Sequence, residues 1–196
     1  MSVHQPRIFL VRHGATEWSV TGQHTGRTDV PLTEEGRRQA KRLGARLARE
    51  RFALVLVSPL SRARETARLT GFGDVAEVDP DLVEWDYGDY DSLTSADIRK
   101  ERPGWTIWRD GVPGGETLEQ VAARADRVLA RVRSVEGNVV LFAHGHILRV
   151  LAARWLEQAP VEGARYYLST ASLSVLGWER ETPVIDRWNE ACHLED

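Results

Sequence analysis

Three short apolar runs, none of them interrupted by a polar residue, constrain the fold of this chain more than any other feature. They cover residues 8–11, 53–57 and 139–142 and read IFLV, ALVLV and VVLF. A strand with one face in solvent alternates apolar and polar residues, whereas a strand buried on both faces is apolar throughout. The runs therefore predict parallel strands inside a sheet that is covered on both sides.

Amphipathic helix patterns separate these runs. In residues 33–51, for example, Ala40, Leu43 and Leu47 recur at helical spacing among charged residues. The alternation predicts an α/β fold, a three-layer sandwich with a mostly parallel central sheet flanked by helices. The other expected elements are a helix from Arg62, helices at residues 118–132 and 147–155, a strand at residues 172–178 and an irregular segment at residues 71–116.

Length and composition narrow the class of protein. The 196 residues show no repeat and no linker, so we expect a single domain over residues 1–196. A formal net charge of −3 gives no bulk attraction to nucleic acid or to an anionic membrane. The single cysteine, Cys192, excludes an intrachain disulfide, and the first apolar run is too short for a signal peptide. We therefore expect a cytoplasmic protein that binds neither nucleic acid nor a membrane.

Basic side chains follow each of the three predicted strands. Arg12 and His13 end the first, Arg62 comes shortly after the second, and His144 follows the third. Ligands of a parallel α/β sheet bind beyond the carboxyl ends of its strands. If the strands are neighbours, two guanidinium groups and two imidazoles converge there. The forked donors of arginine suit a phosphate.

Other interpretations exist for each of these residues taken alone. A single histidine at a strand end is typically a hydrogen-bonded core residue, and Arg62 alone is typical of a solvated helix arginine. His144 and His146 have the spacing of a metal-binding pair. The neighbouring arginines would repel a cation, and no acidic ligand accompanies the pair. We therefore predict no metal site.

Six motifs, in order, carry a family resemblance: LVRHGATEWS, LTEEGRRQA, SPLSRARET, LVEWDYGDYDSLT, GGET and FAHGH. Together they resemble the histidine phosphatase superfamily, which has the phosphoglycerate mutase-like fold. The resemblance implies a phosphomonoester hydrolase that uses a phosphohistidine intermediate and no metal or organic cofactor. It also implies that the substrate is a small phosphorylated metabolite.

The resemblance assigns a role to five residues. His13 is implied as the nucleophile, kept neutral by the positive charge around it. Arg12, Arg62 and His144 are implied to hold the phosphoryl oxygens. Glu84 matches the general acid, which protonates the leaving oxygen and later activates water.

Further positions are expected to shape the substrate pocket. Gly145 and His146 precede the helix expected from Ile147, and the unpaired N–H groups at a helix N-terminus attract anions. A distal set of His24, His146 and Arg149 could hold a second phosphate as cations. The full set of expected substrate-binding residues is Ser19, His24, Thr25, Gly26, Tyr87, Gly145, His146 and Arg149.

Within the superfamily, alternatives remain open. The motifs are similar to the subgroup of sedoheptulose 1,7-bisphosphatases and broad-specificity acid phosphatases, although His24 stands where the bisphosphatase has tyrosine. A cofactor-dependent phosphoglycerate mutase is the second reading. Ser19, which stands where the mutases have asparagine, favours hydrolysis. A catalytically silent phosphoryl-binding protein is the third. The sequence leaves the oligomeric state open, a homodimer included.

Overall fold

A six-stranded sheet forms the centre of the computed structural model, which describes residues 5–195. The strands are β1 (Ile8–Arg12), β2 (Leu54–Val57), β3 (Glu77–Val78), β4 (Val139–Ala143), β5 (Leu173–Glu179) and β6 (Thr182–Glu190). Their order is β3-β2-β4-β1-β5-β6. The first four pair in parallel, while β5 and β6 are antiparallel to their neighbours. The predicted α/β fold is confirmed, and the three apolar runs are the adjacent strands β2, β4 and β1.

Helices cover both faces of this sheet. They are α1 (Glu17–Thr21), α2 (Glu34–Leu47), α3 (Ser61–Leu69), α4 (Ser95–Glu101), α5 (Ile107–Asp110), α6 (Leu118–Arg133) and α7 (Gly145–Trp155). Short 3-10 turns occupy Gly73–Val75, Pro80–Leu82, Gly88–Tyr90, Pro160–Arg165 and Cys192–Leu194. In the part of the chain that the structure describes, no helix is long and apolar enough to cross a membrane.

The alternation of side chains along β1 divides the core into two layers. Ile8 and Leu10 belong to the larger hydrophobic cluster, which α6 and α7 cover. Phe9 and Val11 belong to the second cluster, which α2 and α3 cover. Because β1, β2 and β4 contribute side chains to both clusters, their backbone positions are fixed from both sides. The strand ends are correspondingly well placed to hold a site.

Two parts of the chain differ from expectation. The segment expected to be irregular contains β3, α4 and α5, and its short elements are too brief to give a periodic signal. Strand β6 was not predicted. It lies at the edge of the sheet, contains Pro183, and pairs with β5 across a register shift between Leu173 and Leu176. An edge strand of this kind does not show the continuous apolar run of a buried one.

Candidate active site

The carboxyl ends of β1, β2 and β4 lie side by side. The backbone ladder extends one residue beyond β1, where His13 N donates to Ala143 O over 3.0 Å. Ser58 N donates to Phe142 O over 2.9 Å in the same way beyond β2. The imidazoles of His13 and His144 are brought to 5.1 Å between ring centroids. The structure thus brings together the residues that the strand ends were expected to present.

His13 is held in one tautomer. Its Nδ1 lies 2.8 Å from Gly14 O. A carbonyl only accepts, so Nδ1 carries the proton and Nε2 keeps a free lone pair. Burial, reinforced by the positive charges of Arg62 and Arg12, lowers the pKa of His13 well below its usual value. The ring is therefore neutral, with a lone pair free on Nε2, and only 5% of the residue is exposed.

His144 is wholly buried and uses both ring nitrogens. Nδ1 lies 3.2 Å from Arg62 Nε, and Nε2 lies 2.7 Å from Ser58 Oγ. Since a guanidinium only donates, Nδ1 accepts and the ring proton is on Nε2. Burial and the charge of Arg62 lower the pKa of His144 well below its usual value. The ring is neutral and its orientation is fixed from two sides.

Arg62 is also wholly buried, and it binds the loop that follows α1. Its NH2 donates to Thr25 O over 3.1 Å and to Gly26 O over 2.9 Å, while NH1 donates to Thr28 O over 2.9 Å. Asp29 lies 3.8 Å from NH1. Because Nε also donates to the imidazole of His144, acceptors of the protein use most of the guanidinium N–H donors. Direct contact with a phosphoryl oxygen would use the donor that faces Asp29 or exchange one of the carbonyls.

Nε of Arg12 is a buried hydrogen-bond donor beside Gly145, the first residue of α7. NH1 donates to Leu168 O over 2.5 Å, whereas Nε is buried without a hydrogen-bond partner among residues 5–195. A Cβ built at Gly145 would lie 3.5 Å from this Nε and 3.7 Å from Glu84 Oε2. The missing side chain of Gly145 therefore leaves a space between a guanidinium and a carboxyl group.

Glu84 lies at the N-terminus of α7, which has no side-chain cap of its own. Its Oε1 accepts from the backbone N–H groups of Trp85, over 2.9 Å, and Ile147, over 3.0 Å. Its Oε2 accepts from His146 N over 3.0 Å. The residue is only 4% exposed. These three bonds fix the carboxyl group and leave Oε2 with free capacity on the side of Arg12.

A cavity of about 490 Å³ opens from His13, Arg12 and Glu84 toward α4 and α5. Of the expected substrate-binding residues, all but Gly26 line this cavity. Among the described residues, the expected catalytic residues Arg62 and His144 do not line it either. The lining comprises Arg12, His13, Ser19, Gly22, Gln23, His24, Thr25, Glu84, Tyr87, Ser95, Arg99, Trp105, Thr106, Ile107, Trp108, Gly145, His146, Arg149, Tyr167 and Leu168.

Several expected anion donors already have partners. Gly26 N donates to Asp91 Oδ1 over 2.7 Å, not toward the cavity. The hydroxyl of Thr25 donates to Gln23 O over 3.3 Å. The hydroxyl of Ser19 caps α1, donating to Thr16 O over 2.8 Å. Asp91 thus orders the loop that Arg62 binds from the other side.

The distal histidines are neutral, which corrects the expected cationic set. Burial lowers the pKa of His24 to about 4, and it lowers that of His146 well below the usual value. Tyr87 OH lies 2.6 Å from Nδ1 of His146. The ring of His24 packs at 4.8 Å from Tyr87 and 5.6 Å from Trp105. This part of the cavity offers polar but uncharged groups.

Arginines provide the positive charge of the distal end. Arg149 donates to Gly163 O over 2.9 Å and Ala164 O over 2.8 Å, and its guanidinium lies 4.7 Å from the ring centroid of Trp108. Arg99, on α4, also lines the cavity. Arg99 was missed because its surroundings in the sequence, IRKERP, are typical of a solvated helix end.

The histidines of the HGH motif do not converge. His144 faces Ser58 and Arg62, whereas Nδ1 of His146 faces Tyr87. Among residues 5–195, no group of three or more His, Cys, Asp or Glu side chains is arranged to hold a metal ion.

Comparisons with known proteins agree with this geometry. The sequence signature described as the histidine phosphatase superfamily (branch 1) matches residues 8–191. An acid phosphatase of Mycobacterium tuberculosis is 42% identical, covering 91% of this chain and 90% of that protein. Sedoheptulose 1,7-bisphosphatase of Saccharomyces cerevisiae is 40% identical, covering 76% and 67%. A solved structure of an open reading frame of M. tuberculosis superposes with a TM-score of 0.90 at 38% identity, covering 95% of this chain and 98% of that one.

Proposed function

The chain belongs to the histidine phosphatase superfamily and is a phosphatase, and from this premise we propose that it hydrolyses phosphomonoesters through a phosphohistidine on His13. One observation carries the assignment of the nucleophile. His13 is neutral, Gly14 O holds its Nδ1 proton, and Nε2 has a free lone pair at the inner end of the cavity.

The first step transfers the phosphoryl group to the enzyme. His13 Nε2 forms a bond to phosphorus as the bond from phosphorus to the ester oxygen breaks. The leaving oxygen takes a proton from the carboxyl group of Glu84, through Oε2. In the second step water attacks the phosphohistidine and returns its proton to Glu84. Inorganic phosphate leaves, and His13 regains its lone pair.

The charge that develops on the phosphoryl oxygens is stabilised by Arg12 and by its neighbours. The unpartnered Nε of Arg12 faces the space left open by Gly145. A donor already held in place costs no reorganisation when the charge appears. Arg62 contributes by its charge and by fixing the loop, and the neutral imidazole of His144, held by Arg62 and Ser58, helps to fix the strand ends. No step in this sequence requires a metal ion or an organic cofactor.

We propose a small phosphorylated metabolite, a sugar phosphate or sugar bisphosphate, as substrate. The cavity is much larger than a phosphoryl group needs, and its middle part offers the uncharged His24, Tyr87 and His146 to hydroxyl groups. At its far end Arg99 and Arg149 form no ion pair with a carboxylate of the described residues, which suits a second anionic group. On the sequence grounds given above, we also propose a cytoplasmic location.

Trapping the intermediate tests the mechanism. After rapid quenching of a reaction with phosphate-labelled substrate, we expect label bound to the wild-type protein and, in reduced amount, to His144→Ala. We expect none on His13→Ala. The His144 variant is the matched control, because its imidazole lies 5.1 Å from that of His13. Phosphate release that survives in His13→Ala would contradict the proposal.

A second measurement tests the substrate class. We expect kcat/KM for sedoheptulose 1,7-bisphosphate to exceed that for p-nitrophenyl phosphate, and Arg99→Ala to reduce the bisphosphate value selectively. Comparable values for both substrates would indicate a broad-specificity phosphatase and remove the case for a bisphosphate pocket.

A further inference from the structure

Residues 188–193, the tail segment, play no part in the mechanism above, yet three of their side chains bind one loop. Trp188 Nε1 donates to Tyr167 O over 2.7 Å, and Asn189 Oδ1 accepts from Ser169 N over 2.7 Å. His193 Nε2 donates to Ala171 O over 2.9 Å. We call residues 167–172 the clamp loop.

The clamp loop contacts both proposed catalytic residues at the carboxyl end of β1, Arg12 and His13. Its Leu168 O accepts from NH1 of Arg12 over 2.5 Å, and its Ser172 O accepts from Arg12 N over 3.3 Å. Ala171 N donates to His13 O over 3.0 Å. The same short loop therefore holds the guanidinium of Arg12 and the main chain on either side of its peptide bond to His13.

The orientation of the Arg12 side chain depends on this loop. Within residues 5–195, the guanidinium is hydrogen-bonded to Leu168 O, and Nε is buried without a partner. A displacement of Leu168 O would therefore shift the guanidinium relative to the Nε2 atom of His13. A misplacement of about 1 Å in the site can cost up to about a hundredfold in rate, even when the mutation that causes it lies far from the reacting atoms.

The backbone of the clamp loop needs outside support. Ala171 is fully buried and adopts φ of 52°, a left-handed conformation that a residue with a Cβ rarely adopts. The tail segment is itself anchored to α2. Arg46 donates to Glu190 over 2.6 Å, and Arg42 donates over 2.6 Å to the carbonyl of Leu194, the residue that follows the tail segment. The tail segment thus braces the loop against a helix of the opposite layer.

We propose that Trp188, Asn189 and His193 are positioning residues for phosphoryl transfer. They hold the clamp loop where Leu168 O and Ala171 N orient Arg12 and His13. The inference rests on the proposed roles of Arg12 and His13.

Asn189 offers a clean test because its φ of 53° suits glycine. Asn189→Gly removes the bond to Ser169 without backbone strain, whereas Asn189→Asp keeps an oxygen acceptor for Ser169 N. Thr182→Ala is the matched control, since Thr182 is exposed on the same strand and pairs with Glu179 at the end away from the clamp loop. We expect Asn189→Gly to lower kcat for p-nitrophenyl phosphate about tenfold and to weaken inhibition by inorganic phosphate. The other two variants should stay within about twofold of the wild type.

A double-variant comparison separates positioning from a general loss of structure. In an Arg12→Ala background, Asn189→Gly should cost about threefold or less, because most of its effect passes through the guanidinium. A tenfold loss that persists in that background overturns the inference, as does an Asn189→Gly enzyme with wild-type kcat. If Asn189→Gly fails to fold, His193→Ala against His193→Gln, which keeps a donor, repeats the comparison. An Arg12→Ala enzyme with full activity would instead overturn the proposed role of Arg12 itself.

Discussion

Nε of Arg62 donates to Nδ1 of His144 over 3.2 Å, and this contact determines the state of the imidazole. Because a guanidinium has no acceptor, the ring proton must be on Nε2, where it is donated to Ser58 Oγ over 2.7 Å. Burial and the charge of Arg62 lower the pKa of His144 in the same direction. An arginine that the sequence offers as a phosphate ligand thus also holds a neighbouring histidine neutral.

Lysine should not replace Arg62. Arg62→Lys keeps the positive charge but loses the fork that binds His144, Thr25 O, Gly26 O and Thr28 O together. We expect kcat/KM to fall by about a hundredfold or more, because the loop and the imidazole are no longer held. Unsatisfied buried carbonyls should also cost about 1–3 kcal/mol each in the free energy of unfolding. Steady-state kinetics and urea unfolding measure the two effects, and a Lys enzyme with near wild-type kcat/KM would contradict the assignment.

The acid limb of the pH profile should lie well below the usual histidine range. His13 must be neutral to attack, and burial with the charges of Arg62 and Arg12 lowers its pKa well below 6.5. Activity is therefore lost only as the pH falls through that lowered pKa. The lowered pKa is that of the free enzyme, so kcat/KM is the quantity to follow, corrected for the substrate, which itself ionises near pH 6. A corrected acid limb of kcat/KM centred near 6.5 would be inconsistent with the environment of His13.

His24 should make the fold less stable in mild acid. Its pKa is about 4 in the folded chain and about 6.5 when unfolded, so between these values the unfolded chain binds the extra proton. Its contribution to stability is therefore complete above pH 6.5 and declines as the pH falls toward 4. Compared with the wild type, His24→Gln should lose less unfolding free energy between pH 7 and pH 4.5. Urea unfolding at both pH values makes the comparison, and equal losses would show that His24 does not contribute.

The proposed role of Glu84 as general acid can be separated from its structural role by comparing substrates with different leaving groups. Glu84→Gln offers one oxygen where the carboxylate accepted three backbone N–H groups, so it loses part of the α7 cap as well as the acid. Loss of a general acid should cost about 10²–10⁴ in kcat for an alkyl phosphate. It should cost much less for p-nitrophenyl phosphate, whose phenolate leaves without a proton. A loss of equal size for both substrates would point to the cap instead.

The sequence predicted the centre of the site better than its periphery. The uninterrupted runs of β1, β2 and β4 report double-sided burial, and that alone brings Arg12, His13 and His144 to one edge. Roles for these residues came from the motifs, since a histidine at a strand end is otherwise unremarkable.

The periphery could not be predicted because it depends on where hydrogen bonds go. Nothing in the sequence shows that Gly26 N–H is used by Asp91, or that burial neutralises His24 and His146. Asn189 lies on a bulged edge strand and His193 in a 3-10 turn, and each contacts a clamp-loop residue far away in the sequence. Such segments have no periodic signal, so these contacts are visible only in the three-dimensional structure.

Gly145→Ala should yield a protein that is at least as stable as the wild type but much less active. The added Cβ would lie at ordinary contact distance, 3.5 Å from Arg12 Nε and 3.7 Å from Glu84 Oε2, so nothing has to move to accept it. Alanine also restricts the unfolded chain more than glycine does, which stabilises a fold that accepts it by about 0.4–1 kcal/mol. The methyl group fills the space between the guanidinium and the carboxyl, where the phosphoryl oxygen is expected to lie. Kinetics, inhibition by inorganic phosphate and thermal unfolding together check this. If kcat/KM and phosphate binding are unchanged, the phosphoryl group does not occupy the space beside Gly145.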